Sequence, residues 1–568
     1  MNPEVLLVHF NRISDAPEAV PRFRQFIIDL SVRGKLVEQD PRDEPASELR
    51  GRLKTEWKCK RIIKNDQVSR EIQEVEKPYS LPNNWQWIRL GECLEMINGR
   101  AFKPTDWLPV GLPIVRIQNL NTENAPFNYC NESTVLPRHI IDSGCFLISW
   151  SGTPGTSFGA FIWKRGRAAL NQHIFKCDLI GGAYYDRFLQ IAINGRLDEM
   201  IAKAHGGVGL QHITKGKLEN LPLSLPPLAE QRRIVAKVDE LMALCDQLQT
   251  ARNEREVRQD RLAAASHHHL NNGSDPESLR RYASFYLTHF QCVTARPAYI
   301  RQLRATILNL AIRGRLVAQD PNDEPVVAML AQNDQARQAI GGEDRRADAD
   351  SQTLLAADDR WNIPRGWNWR ALADLVLFID YRGKTPTKTE RGVRLVTAKN
   401  VKKGFINISP EEFLCERDYH LWMTRGFPKV GDILFTTEAP MGNAAVVRLE
   451  ERFALAQRVI CFRPYGAMNP DFLTLQLLSD PFQSILNKTA TGLTAKGIKA
   501  AKLKRLPVAI PPLAEQIRIV AKVNELMAVC DRLEAQLTIA QDESDHLLEA
   551  VLHHALHSSD QIREEVDR

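Results

Sequence analysis

Residues Pro226–Gln249 read PPLAEQRRIVAKVDELMALCDQLQ, and residues Pro511–Glu534 read PPLAEQIRIVAKVNELMAVCDRLE. Nineteen of the 24 aligned positions are identical. The apolar residues of the first copy fall at Ile234, Val238, Leu241, Cys245 and Leu248. Those of the second fall at Ile519, Val523, Leu526, Cys530, Leu533 and Leu537. Steps of four and three place such residues in one stripe along one helix face. Pro-Pro opens each copy, where a residue without an N–H and with fixed φ belongs at or before the first turn. The duplication predicts two related halves, with the two helices as natural partners for each other.

A second repeat lies outward from the first. Residues Arg24–Leu49 read RQFIIDLSVRGKLVEQDPRDEPASEL, and Arg304–Leu330 read RATILNLAIRGRLVAQDPNDEPVVAML. Each predicts a helix, with Ile27 and Leu30 matching Ile307 and Leu310, capped by Gly34 or Gly314 and followed by an Asp-Pro turn. Next comes Pro-x-x-Trp-x-Trp, as Pro82, Trp85, Trp87 and as Pro364, Trp367, Trp369. These tryptophans read as anchors of a domain core. Between that entry and each Pro-Pro helix lie two segments of similar length, rich in short β-branched and aromatic runs broken by Gly, Pro and Asn. They predict strands with turns, then a helix, then a glycine-bearing loop. Near-identical connectors therefore carry two dissimilar inserts.

This divides the chain into six parts. They are a helical region at 1–77, an insert at 78–222, a central region at 223–330 with a long helix, a flexible linker at 331–359, a second insert at 360–507 and a second long helix at 508–568. The linker assignment rests on the Ala-, Gln-, Asp- and Arg-rich composition of Gln332–Asp359. His267, His268 and His269 are adjacent, and neighbouring helical residues point about 100° apart, so they cannot converge on one ion. They read as a solvated tip.

A chain of 568 residues is too long for one core. Hydrophobic content of 43% with 25% charged residues excludes wholesale disorder. No apolar run reaches the length of a membrane span, and the start lacks the basic and apolar regions of a secretory signal, which points to the cytoplasm. The ten cysteines hold no C-x-x-C pair and read as reduced, buried thiols. Net charge is +6, unevenly spread. Pro78–Pro222 holds 14 Lys/Arg against 11 Asp/Glu, whereas Arg360–Pro507 holds 24 against 13. A basic surface suits phosphate or acidic protein alike. No phosphate-binding loop, dinucleotide fingerprint or zinc-protease motif is present, and nothing in the sequence predicts catalysis.

The twice-repeated PPLAEQxxIVAKVxEL helix, the twice-repeated RG(K/R)LVxQDPxDEP segment and the glycine-bearing loop with Leu-Pro before each Pro-Pro resemble the specificity subunit of type I restriction–modification enzymes. The resemblance covers nearly the whole chain. It implies an α+β fold with two globular target recognition domains. Two long helices join them, packed as an antiparallel coiled coil with a pseudo-twofold internal repeat. It implies a non-enzymatic subunit that reads a bipartite, asymmetric site in double-stranded DNA. Its partners are two methyltransferase subunits and the restriction subunits. S-adenosylmethionine, ATP and Mg2+ are expected on those partners, with no cofactor or metal in this chain. A helix from Pro226 to Ala265 is about 60 Å long at ~1.5 Å per residue. One turn of DNA is about 34–36 Å, so such a helix would space two readers between one and two turns apart.

Base edges favour two-pronged polar side chains, and phosphates favour Lys, Arg, Ser and Thr. At the strand–loop boundaries of the first insert the candidates are Arg100, Lys103, Arg116, Asn119, Ser151, Thr153, Asn171, Gln172 and His173. In the second they are Arg382, Lys384, Thr397, Lys399, Asn400, Thr436, Thr437, Gln457, Arg458 and Lys496. A competing reading makes the chain a non-catalytic coiled-coil adaptor whose inserts bind peptides. Steep salt dependence of sequence-specific DNA binding separates the two.

Overall fold

The structure is a computed structural model that describes residues 13–14, 16–60, 71–152, 158–196, 211–273, 275–340, 361–381, 387–492 and 496–566. The chain divides into two compact units, residues 1–255 with 541–568, and residues 256–540.

Unit 1 opens with helices Ala19–Val32 and Ala46–Lys60. Gly34 ends the first at φ +68°, a left-handed conformation that suits glycine at a helix C-terminus. A Cβ there would stand 2.5 Å from Pro82 Cγ and 3.0 Å from Trp85 Cζ2, so the turn seats directly on the Pro-x-x-Trp motif. Strand β1 (Gln86–Arg89) carries the chain into the first insert, and β12 (Pro222–Leu225) carries it out. The two pair antiparallel, Gln86 opposite Leu225 and Arg89 opposite Pro222.

Between them, β2 (Leu94–Asn98), β6 (Phe146–Ser149), β8 (Gly159–Ile162) and β10 (Ile174–Leu179) form one sheet in the order β2-β10-β6-β8. A second sheet has the order β4-β3-β9-β5, from β3 (Leu112–Val115), β4 (Asn128–Cys130), β5 (Ile140–Ile141) and β9 (Ala168–Leu170). Strand β7 (Ser151–Gly152) pairs with β11 (Gln211–His212).

Helix Leu228–Asn272 leaves β12 at Pro226-Pro227. Its stripe residues Ile234, Val238 and Cys245 are buried in one core with Ile27, Trp85, Phe188 and Leu225 of the same unit. The stripe is therefore buried against the first insert and the connector of its own unit. Glu230 and Gln231 explain why the repeat is spelled AEQ. Glu230 accepts from Gln39 Nε2 at 2.9 Å and from Trp85 Nε1 at 3.0 Å. Gln231 Nε2 donates to Ala183 O at 2.8 Å and Pro226 O at 2.9 Å. Arg233 forks onto Asp43 at 3.2 and 2.7 Å. The two sequence repeats thus clasp one another.

The same clasp recurs in unit 2. Glu515 accepts from Gln319 at 3.1 Å, Arg518 forks onto Asp323 at 2.8 and 2.7 Å, and Gln516 donates to Pro511 O at 3.0 Å. Gly314, at φ +65°, meets Pro364 and Trp367 as Gly34 meets Pro82 and Trp85. Entry strand β13 (Asn368–Ala371) pairs antiparallel with exit strand β21 (Pro507–Ile510). Strands β14 (Val376–Asp380), β17 (Ile433–Thr436), β18 (Ala444–Val446) and β20 (Val459–Pro464) form a sheet ordered β14-β20-β17-β18. Strands β15 (Val393–Val396), β16 (Phe413–Leu414) and β19 (Phe453–Leu455) form the other. Helix Leu513–Val566 follows, with Ile519, Val523 and Cys530 buried in the core of unit 2.

Each long helix runs on from its own unit into the residues of the other. In unit 2, Leu262 and Leu270 pack with Tyr286 and Val293. In unit 1, Leu548, Leu552 and Ala555 pack with Ile13, Phe26 and Leu30.

Two sequence readings change here. His267 is not part of a solvated tip: it is 5% exposed, bonds Thr306 Oγ1 at 3.0 Å, and burial holds its pKa down at about 4. His268 and His269 are exposed. The linker assigned to 331–359 begins inside helix Val326–Ala339, where Met329, Leu330 and Asn333 are buried. Residues 341–360 lie outside the described residues. No helix among the described residues is long and apolar enough to cross a membrane.

Candidate nucleic-acid interface

In unit 1, strand registers gather the loops at one edge of the insert. Asn98, the last residue of β2, lies opposite Phe175, and Ser149, the last of β6, lies opposite Ile174. Val115, the last of β3, pairs in parallel with Leu170, the last of β9. Asn171, Gln172 and His173 form the turn from β9 to β10 and so sit where both sheets end. Asn171 N–H donates to Val115 O at 3.1 Å, Arg100 bridges Asn171, and Trp150 N–H reaches His173 O at 3.4 Å. Arg100, Arg116, Asn119, Ser151, Asn171, Gln172 and His173 are thereby brought to one edge.

Unit 2 repeats the arrangement with different side chains. Asp380 lies opposite Ile460, Thr436 opposite Val459, and Val396 beside Leu455. Ala456, Gln457 and Arg458 form the turn matching Asn171–His173. Ala456 N–H donates to Val396 O at 2.9 Å, and Thr437 N–H to Arg458 O at 3.0 Å. Gly497 bridges Glu438, which brings Lys496 to the same edge as Thr397, Lys399, Asn400, Thr436 and Thr437. Thr153, Arg382 and Lys384 lie outside the described residues.

Accessibility sorts these candidates. Asn119 is 2% exposed: its Oδ1 accepts from Arg116 N–H at 3.0 Å, and its Nδ2 donates to Ala125 O and Pro126 O at 3.1 and 3.2 Å. Asn400 is 3% exposed and does the same with Thr397, Asn407 and Pro410. Each amide ties a loop to the end of a strand and has no N–H left for a base. Thr436 Oγ1 accepts from Asn443 N–H at 2.9 Å, Thr437 Oγ1 donates to Arg458 O at 3.3 Å, and Ser151 is buried. All five side chains are buried within their own inserts.

Arg100 is half-buried, donating to Thr134 O at 2.6 Å with its guanidinium over Phe102. Arg116 is half-buried against Pro126 O. His173 packs on Trp150 and stands 3.2 Å from the amide of Gln172. The exposed set is Lys103, Gln172, Lys399, Arg458 and Lys496, with Asn171, Thr397 and Gln457 half-exposed. Arg458 lies 3.5 Å from Glu438. Sequence reading passed over Lys402, Lys403 and Phe405, although lysines beside an aromatic residue in a glycine turn are a signal that could have found them.

A family model described as the type I restriction modification DNA specificity domain matches residues 82–257 and 424–540, just over half of the chain. The chain belongs to the type I restriction–modification DNA specificity family. Its function is DNA specificity. The two type I specificity subunits EcoAI and EcoEI of Escherichia coli are each 26% identical to it. The alignment to EcoAI covers 94% of this chain and 93% of that protein, and the alignment to EcoEI 94% of both. The EcoBI specificity subunit of Escherichia coli is 24% identical over 85% of this chain and 88% of its own length. The HsdS subunit from Thermoanaerobacter tengcongensis aligns at a TM-score of 0.44 with 18% identity, covering 85% of this chain and 99% of that one.

Proposed function

We propose that this chain reads a bipartite, asymmetric DNA site, one half with each recognition domain, and performs no catalysis itself. The observation that carries this reading is a shared strand plan that presents unlike side chains at matched positions. Asn171-Gln172-His173 faces Ala456-Gln457-Arg458 in the alignment of plans, and Arg116-Ile117-Gln118 faces Thr397-Ala398-Lys399. Two readers that differ at the reading edge select two different half-sites.

The partners in this reading are two methyltransferase subunits and restriction subunits. They supply S-adenosylmethionine-dependent methylation and the ATP- and Mg2+-dependent steps, so no residue of this chain is assigned to those groups. The two long helices are read as an antiparallel pair related by a pseudo-twofold. Their shared sequence and lengths of 45 and 54 residues support that reading.

The test is methyl transfer. The purified chain alone transfers no methyl group to DNA. Mixed with its methyltransferase subunit, it directs methylation to one split sequence whose halves differ. Robust methylation by the isolated chain, or a site with two identical halves, overturns the assignment.

A further inference from the structure

In the loop after β15, the second recognition domain carries a feature that the matching loop of the first, between Asn119 and Phe127, lacks. Residues Val401–Ile406 read VKKGFI and close a tight hairpin: Val401 and Ile406 bridge, and Lys402 N–H donates to Phe405 O at 2.9 Å. Gly404 takes φ +91°, which the turn requires. The tip is lashed to the turn that follows β17. Gly404 N–H donates to Ala444 O at 2.9 Å, and Asn443 Nδ2 to Val401 O at 2.9 Å. It is therefore a fixed projection at the same edge as Gln457 and Arg458. Lys403 is exposed and Lys402 half-exposed, and Phe405 is 58% exposed beside them. Among the described residues, no carboxylate pairs with Lys399, Lys402, Lys403 or Lys496.

The matching loop of the first domain differs in kind. Between Asn119 and Phe127 it holds Glu123 and no lysine. Its aromatic residue is covered from within, since the Arg165 guanidinium lies 4.9 Å from the Phe127 ring. The regional charges agree: an excess of +11 for Arg360–Pro507, against +3 for Pro78–Pro222.

We infer that the two domains divide the work unequally. The second grips the DNA backbone through the Lys402–Phe405 tip with Lys496, independent of sequence, while the first contributes mainly selection. Lysine is a compact, flexible charge suited to phosphate, and an exposed ring beside it packs on a sugar or base face. This inference rests on the DNA-specificity reading and adds to it which half holds the duplex.

The experiment uses the full chain assembled with its methyltransferase subunit. A fluorescently labelled duplex of about 40 base pairs carries the methylated site, and binding is followed by anisotropy from about 50 to 300 mM KCl. Each phosphate contact contributes about 0.9 to the slope of log K against log salt. The double variant Lys402→Gln/Lys403→Gln lowers that slope by about 1.8 and weakens a scrambled duplex equally, while the methylated sequence stays the same. Lys402→Arg/Lys403→Arg restores the slope, and Phe405→Ala weakens binding severalfold at every salt with the slope unchanged. Lys164→Gln, an exposed lysine of the first domain, leaves the slope as it was. A double variant with the wild-type slope overturns the inference and leaves the specificity reading standing. So does one whose only defect is failure to assemble with the methyltransferase subunit. A wild-type complex with no site preference overturns both.

Discussion

Glu230 is 1% exposed, and both of its carboxylate oxygens are taken by neutral donors, the amide of Gln39 and the indole of Trp85. Burial raises its pKa to about 6, against the opposing pull of the Trp85 bond and of Arg233. Burial raises Glu515 as well. In the folded chain the proton is held more tightly than in the unfolded one, so ionisation costs stability. That cost is absent below pH ~4.5, grows between about 4.5 and 6, and is complete above, on the order of 2 kcal/mol for Glu230. Glu230→Gln removes the titration but keeps one acceptor. Urea unfolding at a series of pH values then shows a flatter stability profile between about pH 4.5 and 6 than wild type. An unchanged profile sinks this account of Glu230. The repeat was fully legible at these positions, but its chemistry was not: AEQ reads as the polar side of an amphipathic helix until Gln39 and Trp85 are placed against it. Asn119 and Asn400 show the converse. Their residue type and loop position suit base reading, and only the carbonyls of residues distant in the loop reveal that their amides are spent.

At the scale of elements, the periodic stripe of each long helix was legible and its covering was not. A stripe reports that one face is buried and says nothing of what buries it. Ile234 and Val238 pack into their own unit, as do Ile519 and Val523. The last turns of helix Leu513–Val566 serve the N-terminal connector, where Leu548 is fully buried against Ile13, Phe26 and Leu30. Removing that side chain leaves a cavity costing about 2–5 kcal/mol. Leu548→Ala accordingly accelerates amide exchange in helix Ala19–Val32, while helix Pro297–Ile312 of the other unit keeps its protection. Equal loss in both helices, or in neither, contradicts the local role of the tail.

At the scale of the whole molecule, the modular plan was the most legible property, because near-identical connectors flank unlike inserts. What the sequence could not show is how the two ends of each insert are held. In each unit the chain enters and leaves the recognition domain on two paired strands, β1 with β12 and β13 with β21. The ends of the insert are thus held side by side by connector residues, whatever lies between them. Trp85 and Trp367 are buried beside Gly34 and Gly314, the glycines that follow helices Ala19–Val32 and Pro297–Ile312. An insert that returns to the exit strand leaves that packing undisturbed. Replacing residues 372–506 with the corresponding residues of an unrelated recognition domain of this family should therefore yield a complex that still methylates DNA. Methylation mapping across a genome would show one half of the site altered, with the other half and the number of bases between them retained. Alteration of both halves would mean that the domains read the duplex jointly, and a changed spacing would mean that the inserts themselves, not the connectors and long helices, set the distance.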